Sequence, residues 1–297
     1  MSYRLGIDIG GTKICIGLVS VAQEVTLLGY RKLEVSHISD IVAEIKNAVE
    51  ALCEELRCSS RDIAFCGVGI PGTVSEDGRR ILKAPNISVL SAAFAERLAQ
   101  ALGMPVTLLQ DSRAAAWGEY CCGAGRGAQT LICITLGTGI GTGIVIDGQL
   151  FHGALGTAGE LGHVPAVPNG RSCGCGKRGC VEKYCAGGGL DITARELLGA
   201  GKTAKDLFCA AKEGHQQAQH AIHEAICLLG NTVVAAINLL SPNAVLFSGG
   251  MSNEAALIEP LISYIKEHCY TIGTLPILKK ASLGEFAPLI GAAMASK

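Results

Sequence analysis

Residues 7–19 read IDIGGTKICIGLV, and residues 134–146 read ITLGTGIGTGIVI. Each is an alternating apolar run, a tip of glycine and threonine, and a second alternating run, the pattern of a half-buried β-hairpin. A chain that writes one hairpin twice is expected to fold as two related α/β lobes, with the two glycine tips facing each other across a cleft. No linker or low-complexity stretch separates the two copies.

Around the hairpins the pattern alternates between strand and helix. Residues 24–32 predict a third strand. Ile41, Ile45, Val49, Leu52 and Leu56 recur at helical spacing, so residues 39–57 predict an amphipathic helix with Ser39 as its N-cap. Strand 63–70 runs into Pro71-Gly72-Thr73, residues 75–78 form a turn, and Pro85 holds 83–86 extended. Helix 92–101, strand 106–110 and helix 114–120 follow. After the second hairpin come helices 203–211 and 216–238, strand 244–248, helix 254–268, strand 276–278 and helix 288–296.

With 297 residues, 49% apolar and 17% charged, the chain can bury a large core. A net charge of −1 without a basic block disfavours nucleic acid or an anionic membrane as the main partner. The apolar stretch 221–240 is interrupted by His223, Glu224, Asn231 and Asn238, so it reads as a buried helix and not a membrane span. Met1 to Arg4 lead straight into strand-like sequence with no signal-peptide pattern, and the expected location is cytoplasmic. Under reducing conditions the 14 cysteines read as core thiols plus a metal site. Cys15, Cys66, Cys133 and Cys227 lie in apolar segments and fit packing roles.

The metal site is His163, Cys173, Cys175 and Cys180, spaced H-x9-C-x-C-x4-C. Three thiols and an imidazole complete a tetrahedral zinc set, and a closed set shapes a loop without doing chemistry. A disulfide-stapled loop is the alternative, and Cys185 could replace His163 as the fourth ligand. Glu160 and Glu182 flank the ligands without being needed by the metal, which leaves them to grip something else.

The tip Gly10-Gly11-Thr12-Lys13 connects two strands, so it is neither a Walker loop nor a dinucleotide fingerprint, both of which feed a helix. Its amides, the Thr12 hydroxyl and Lys13 can still cradle phosphate, as can Gly137-Thr138-Gly139; an ordinary hairpin turn is the competing reading of each tip. Asp8, a carboxylate within an apolar strand, suits magnesium held through water or a set of backbone hydrogen bonds. Asp111 stands between a strand and a helix, as an N-cap or as a general base at a cleft mouth.

GIDIGGTK, Asp111, LGTGIG, AGELGH, CGCGKRGC and FSGGMS occur in this order along essentially the whole chain. The set resembles the ROK family of bacterial sugar kinases. The resemblance implies an α/β, two-lobed actin-like or hexokinase-like ATPase fold, with duplicated ribonuclease H-like lobes and a zinc-binding loop. One lobe would be residues 1–111 plus 281–297 and the other 112–280, carrying the zinc loop 163–185. It implies ATP-dependent phosphorylation of a hexose, usually at the 6-hydroxyl, with magnesium, by a homodimer. By motif, Asp111 corresponds to the catalytic base. Gln110, Glu160, His163, Glu182 and Asn86 correspond to sugar contacts, and Gly72 and Thr73 to the loop near the sugar's C2 substituent. Gly10, Gly11, Thr12 and Lys13, with Gly137, Thr138 and Gly139, resemble the phosphate loops; Gly249, Gly250 and Met251 resemble the adenosine turn. His163 would bind zinc through one nitrogen and face the sugar through the other.

Many members read Asn-Asp-Ala-Asn where this chain has Gln110-Asp111-Ser112-Arg113. The longer Gln110 and a cation at Arg113, expected near the pocket, leave glucose in doubt and allose, mannose, fructose and N-acylmannosamine open. The family also contains sugar-responsive transcriptional regulators, which carry a winged-helix segment ahead of the first phosphate loop. Only seven residues precede Asp8 here, which favours the kinase.

Overall fold

A computed structural model describes residues 3–22, 24–84, 90–270 and 272–295. The first hairpin is β1 (Tyr3–Ile9) and β2 (Lys13–Ser20), followed by β3 (Thr26–Glu34), α1 (Ile41–Glu55) and β4 (Ile63–Ile70). A short ladder, β5 (Thr73–Val74) with β6 (Ile81–Lys83), precedes α2 (Phe94–Leu102) and β7 (Val106–Gln110). The resulting sheet has the order β3-β2-β1-β4-β7, antiparallel through β3, β2 and β1 and parallel from β1 to β7. Parallel neighbours need crossovers, which α1 and α2 supply.

Helix α3 (Asp111–Cys122) leads to the second hairpin, β8 (Thr130–Leu136) and β9 (Ile140–Ile146), and then β10 (Gln149–Leu150). Next come α4 (Glu182–Cys185), α5 (Gly187–Leu198), α6 (Ala204–Lys212), α7 (Gln216–Leu240), β11 (Ala244–Ser248), α8 (Ala255–His268), β12 (Ile277–Lys280) and α9 (Ala287–Ala293). The second sheet, β10-β9-β8-β11-β12, repeats the strand directions of the first. The duplication visible in the hairpins therefore extends to whole sheets.

Each sheet has its own core. Ile7, Ile14 and Ile16 pack against Ile45, Val49, Leu52 and Leu98 in the first, and Ile132, Ile134 and Phe247 against Leu207, Leu229, Val233 and Leu261 in the second. The apolar face of α7 thus lies within the second core. The chain passes between the sheets twice, through α3 and through residues 281–286 into α9, which packs on β1, β2 and β4. Where α3 and α9 cross, a Cβ on Gly291 would lie 1.7 Å from the Ala114 carbonyl oxygen, so only glycine permits the backbone contact. Glu119 closes this junction. Fully buried, its carboxylate accepts from the amides of Ala124 (2.8 Å), Ser282 (3.1 Å) and Leu283 (2.7 Å) and from the Ser282 hydroxyl (3.1 Å).

Several local expectations are corrected. Asp40, not Ser39, caps α1, its Oδ1 accepting from the Val42 amide at 3.1 Å. Helix α3 starts at Asp111, with Gln110 in the cap position, so Asp111 is the first helical residue and not the N-cap. Cys66 and Cys133 are core thiols, but Cys15 and Cys227 are only half-buried.

Candidate functional site

Strand β7 ends at Gln110 and α3 begins at Asp111, which holds that carboxylate at the sheet's C-terminal edge, beside the positive end of a helix. A Cβ on Gly141 would fall 2.6 Å from the Ser112 Cβ, so the start of α3 rests directly on the second hairpin. Asp111 Oδ1 accepts from the Ser112 amide at 2.6 Å, while Oδ2 accepts no hydrogen bond among the described residues. Burial pushes Asp111 up to about 6, against the Ser112 hydrogen bond and helped by the charge of Glu160. Asp8, on β1 beside Gly69, is pushed up to about 7 by burial and then by Asp111. Two half-buried carboxylates that raise each other's charge cost are what a cation or a transferable proton relieves.

From Asp111 the site continues through its neighbour. Gln110 Nε2 donates to Glu160 Oε1 at 3.5 Å, and Glu160 Oε2 lies 3.8 Å from His163 Nε2. The other ring nitrogen, Nδ1, faces Cys173 Sγ at 3.6 Å and Glu182 Oε1 at 3.8 Å.

The ligand atoms of His163, Cys173, Cys175 and Cys180 all lie within 4.8 Å of one another, with Cys175 and Cys180 sulfurs 3.6 Å apart. Tetrahedral zinc–sulfur bonds of about 2.3 Å require ligand–ligand edges of about 3.7 Å, so this set fits zinc. Cys185 is not part of it: fully buried, its thiol donates to the Ala225 carbonyl of α7 at 3.2 Å. Arg171 ties the loop to α5, donating to the carbonyls of Lys183 (2.9 Å) and Gly189 (3.1 Å) and to Thr193 Oγ1 (3.0 Å), with Glu196 at 2.6 Å. Glu182 leans the opposite way from Glu160. It accepts from the Cys173 thiol at 3.1 Å and would be 3.0 Å from a Cβ on Gly139.

The second glycine tip is held from below. The amides of Gly187 and Gly188, at the start of α5, donate to the carbonyls of Gly137 (2.8 Å) and Thr138 (3.0 Å). A side chain on Gly188 would come within 2.9 Å of the Thr138 oxygen. Gly249 abuts the end of β8, where a Cβ would fall 2.5 Å from the Leu136 oxygen, and Met251 Sδ lies 3.6 Å from the Cβ position of Gly187. Gly137–Gly139 and Gly249–Met251 thus form one cluster with α5. At the first tip, the Gly10 amide donates to Lys13 O at 2.8 Å and Thr12 O accepts from the Val35 amide at 3.0 Å. Gly11 has nothing within 4 Å of its Cβ position.

Gly72 and Thr73 lie at the β5–β6 ladder, Thr73 opposite Lys83, with no hydrogen bond to Asp111 or Glu160 among the described residues. Asn86 lies outside the described residues. Arg113 does lie near the proposed acceptor site, within reach of the Glu160 charge, but as a buried group. It is 5% exposed and binds the segment that precedes Glu160. Sequence reasoning missed Gly187 and Gly188; the run Gly187-Gly188-Gly189 at a helix start was the available signal.

Comparison with known proteins places these observations among relatives. The family model described as "ROK family" matches residues 4–297. A glucokinase of Streptomyces coelicolor is 33% identical over 313 residues, covering 99% of this chain and 97% of that protein. An N-acetylmannosamine kinase of Salmonella typhi is 33% identical over 264 residues, covering 89% of this chain and 88% of that one. Among solved structures, a ROK hexokinase from Thermus thermophilus superposes with a TM-score of 0.84 at 30% identity, covering 98% and 97% of the two chains. A ROK family glucokinase from Streptomyces griseus, in complex with glucose and AMPPNP, gives 0.79 at 32% identity, covering 99% of each.

Proposed function

The chain belongs to the ROK family, and from that premise we propose that it is an ATP-dependent kinase that phosphorylates the 6-hydroxyl of an aldohexose or a related sugar. The observation that supports this most directly is Asp111. It is a half-buried carboxylate with a raised pKa and an Oδ2 that accepts no hydrogen bond among the described residues, joined through Gln110 to Glu160 and the cysteine cluster.

In this reading the acceptor hydroxyl donates to Asp111, which takes the proton as the oxygen attacks the terminal phosphorus of ATP and the bond from that phosphorus to the bridging oxygen breaks, so that ADP leaves. Gln110, Glu160, His163 and Glu182 orient the sugar, with Asn86 as a further sugar contact and Gly72 and Thr73 near its C2 substituent. A planar carboxylate accepts two hydroxyl donors, so an epimer that withdraws one leaves buried charge unpaired and is rejected. The tip at Gly10, Gly11, Thr12 and Lys13 and the tip at Gly137, Thr138 and Gly139 receive phosphates, and Gly249, Gly250 and Met251 the adenosine. Magnesium, held through Asp8, would offset phosphate charge. Zinc on His163, Cys173, Cys175 and Cys180 would be structural, setting the direction of the His163 ring.

We take residues 1–111 with 281–297 as one lobe and 112–280 as the other, a division supported by the packing of α9 on the first sheet. Closure of the two over the substrates would keep water from the phosphoryl group. A coupled ADP-release assay over glucose, allose, mannose, fructose and N-acylhexosamines tests the reading. Sugar-dependent ADP release from one or more is the expected result; none from any would remove it.

A further inference from the structure

Helix α3 carries Asp111, and the loop 152–160 carries Glu160, yet Gln110 and Glu160 touch only at 3.5 Å and Glu160 is substantially exposed. Something stronger has to fix their separation. The loop is poor at fixing itself: Gly153, Gly156 and Gly159 have φ of +71°, +70° and +89°, and such residues give the backbone wide freedom.

Arg113 supplies the attachment. It sits two residues after Asp111 on α3, and its guanidinium reaches across to the loop. Nη2 donates to the carbonyls of Gly156 (2.7 Å) and Ala158 (3.0 Å), and Nη1 lies 3.1 Å from His152 Nδ1. Nε has no hydrogen-bond partner among the described residues. A buried guanidinium with an unsatisfied Nε carries a desolvation cost that packing alone does not offset. Burial lowers the pKa of Arg113 and the charge of Glu160 raises it, so its electrostatic counterpart is the acceptor-site carboxylate itself.

We infer that Arg113 is a positioning residue for the acceptor site: it locks residues 156–158 onto α3 and thereby sets the distance between Glu160 and Asp111. The inference rests on the sugar-kinase reading for its kinetic consequence, though not for the lock itself. Arg113 belongs to the same rigid helix as the base, so one side chain registers both carboxylates on a common frame. A lysine could still donate to the two carbonyls but could not hold the fork. A methionine would be received by the cavity of about 460 Å³ that Arg113 lines with Trp117, Leu150 and Met294.

The test compares wild type, Arg113→Lys and Arg113→Met by steady-state kinetics on the sugar that wild type accepts best, and by amide hydrogen exchange. For Arg113→Met the expected result is a sugar KM raised about tenfold or more, with ATP KM within about twofold, because the nucleotide cluster is built elsewhere. Arg113→Lys should recover part of the loss. Exchange across 153–160 should quicken about tenfold in Arg113→Met and less in Arg113→Lys, while α3 stays protected. A purely structural role would lower the melting temperature and leave sugar KM unchanged, and that result overturns the inference. So does unchanged exchange across 153–160. If wild type shows no sugar-dependent ADP release, the kinase reading fails, and the exchange measurement still decides the lock. Should Arg113→Met not fold, Arg113→Lys carries both readouts.

Discussion

The imidazole of His163 lies 3.8 Å from the carboxylate of Glu160 through the ring nitrogen that does not face the cysteines. A residue of the candidate metal set thus faces Glu160, a proposed sugar contact, with no intervening side chain.

Removing the proposed zinc should therefore be felt at both substrates, unequally. Glu160 is steadied by His163 and a long contact from Gln110. The tip at Gly137–Thr138 keeps its backbone bonds to Gly187 and Gly188, and Arg171 still ties the loop to α5. Cys175→Ser is expected to remain folded, to lose its zinc by atomic absorption, and to weaken sugar binding about tenfold more than ATP binding. Equal losses on both substrates would show that the metal does not act through His163 and Glu160.

Asp111→Asn keeps the size and the Ser112 hydrogen bond but cannot accept the proton. Turnover is expected to fall about a hundredfold or more while sugar binding by calorimetry stays near wild type. Near-normal turnover would remove Asp111 as the base.

The base must be ionised to work, and Asp111 is pushed up to about 6 by burial, with Glu160 adding to the rise. Asp8, also facing it, has its own pKa raised by Asp111. On this reading kcat/KM should be flat above neutrality and fall about tenfold per pH unit below about 6. A profile flat down to pH 4.5 contradicts the assignment.

Asp8 titrates near 7 in the folded chain against 3.8 for an ordinary aspartate. The folded state then binds more protons than the unfolded one between these values, so stability without magnesium falls as pH rises through that window. Asp8→Asn removes this slope and should melt a few degrees above wild type at pH 8, about 3 °C or more, while losing activity. A lower melting temperature at pH 8 would contradict the charge argument.

Two glycines separate folding from function. Gly291→Ala places a carbon 1.7 Å from the Ala114 oxygen, and the α3–α9 crossing must open to admit it. A loss of several kcal/mol is expected, on the order of the largest overpacking costs, read as a melting temperature lower by about 10 °C or as insoluble protein. Gly11→Ala meets nothing within 4 Å. It should melt within about 1 °C of wild type but raise the ATP KM, since its added methyl group would intrude on the space proposed for phosphate.

What sequence could reveal here follows from how local each signal is. The hairpins, the cysteine spacing and Asp111 after a strand are local patterns, and their elements stand where periodicity places them. The symmetry of the two sheets followed from the hairpins alone. Long side chains were not legible: sequence fixes the charge of Arg113 but not its rotamer, and it turns to a loop some forty residues away. Cys185 matched the metal pattern by spacing, yet one turn of α4 aims its thiol at α7. Gly187 and Gly188 drew no reading from the sequence. Their use is close approach to a tip distant in sequence, which no window of neighbouring residues contains.

Glu119 gives this architecture a particular mechanics. The polypeptide leaves the first sheet along α3 and returns by residues 282–286, and a single carboxylate grips both passages. Outbound and return paths therefore cannot swivel independently: a torque applied to one is carried to the other through four hydrogen bonds. If the two proposed lobes open and shut, that motion would pivot around this knot, and Glu119 would govern the angle between them.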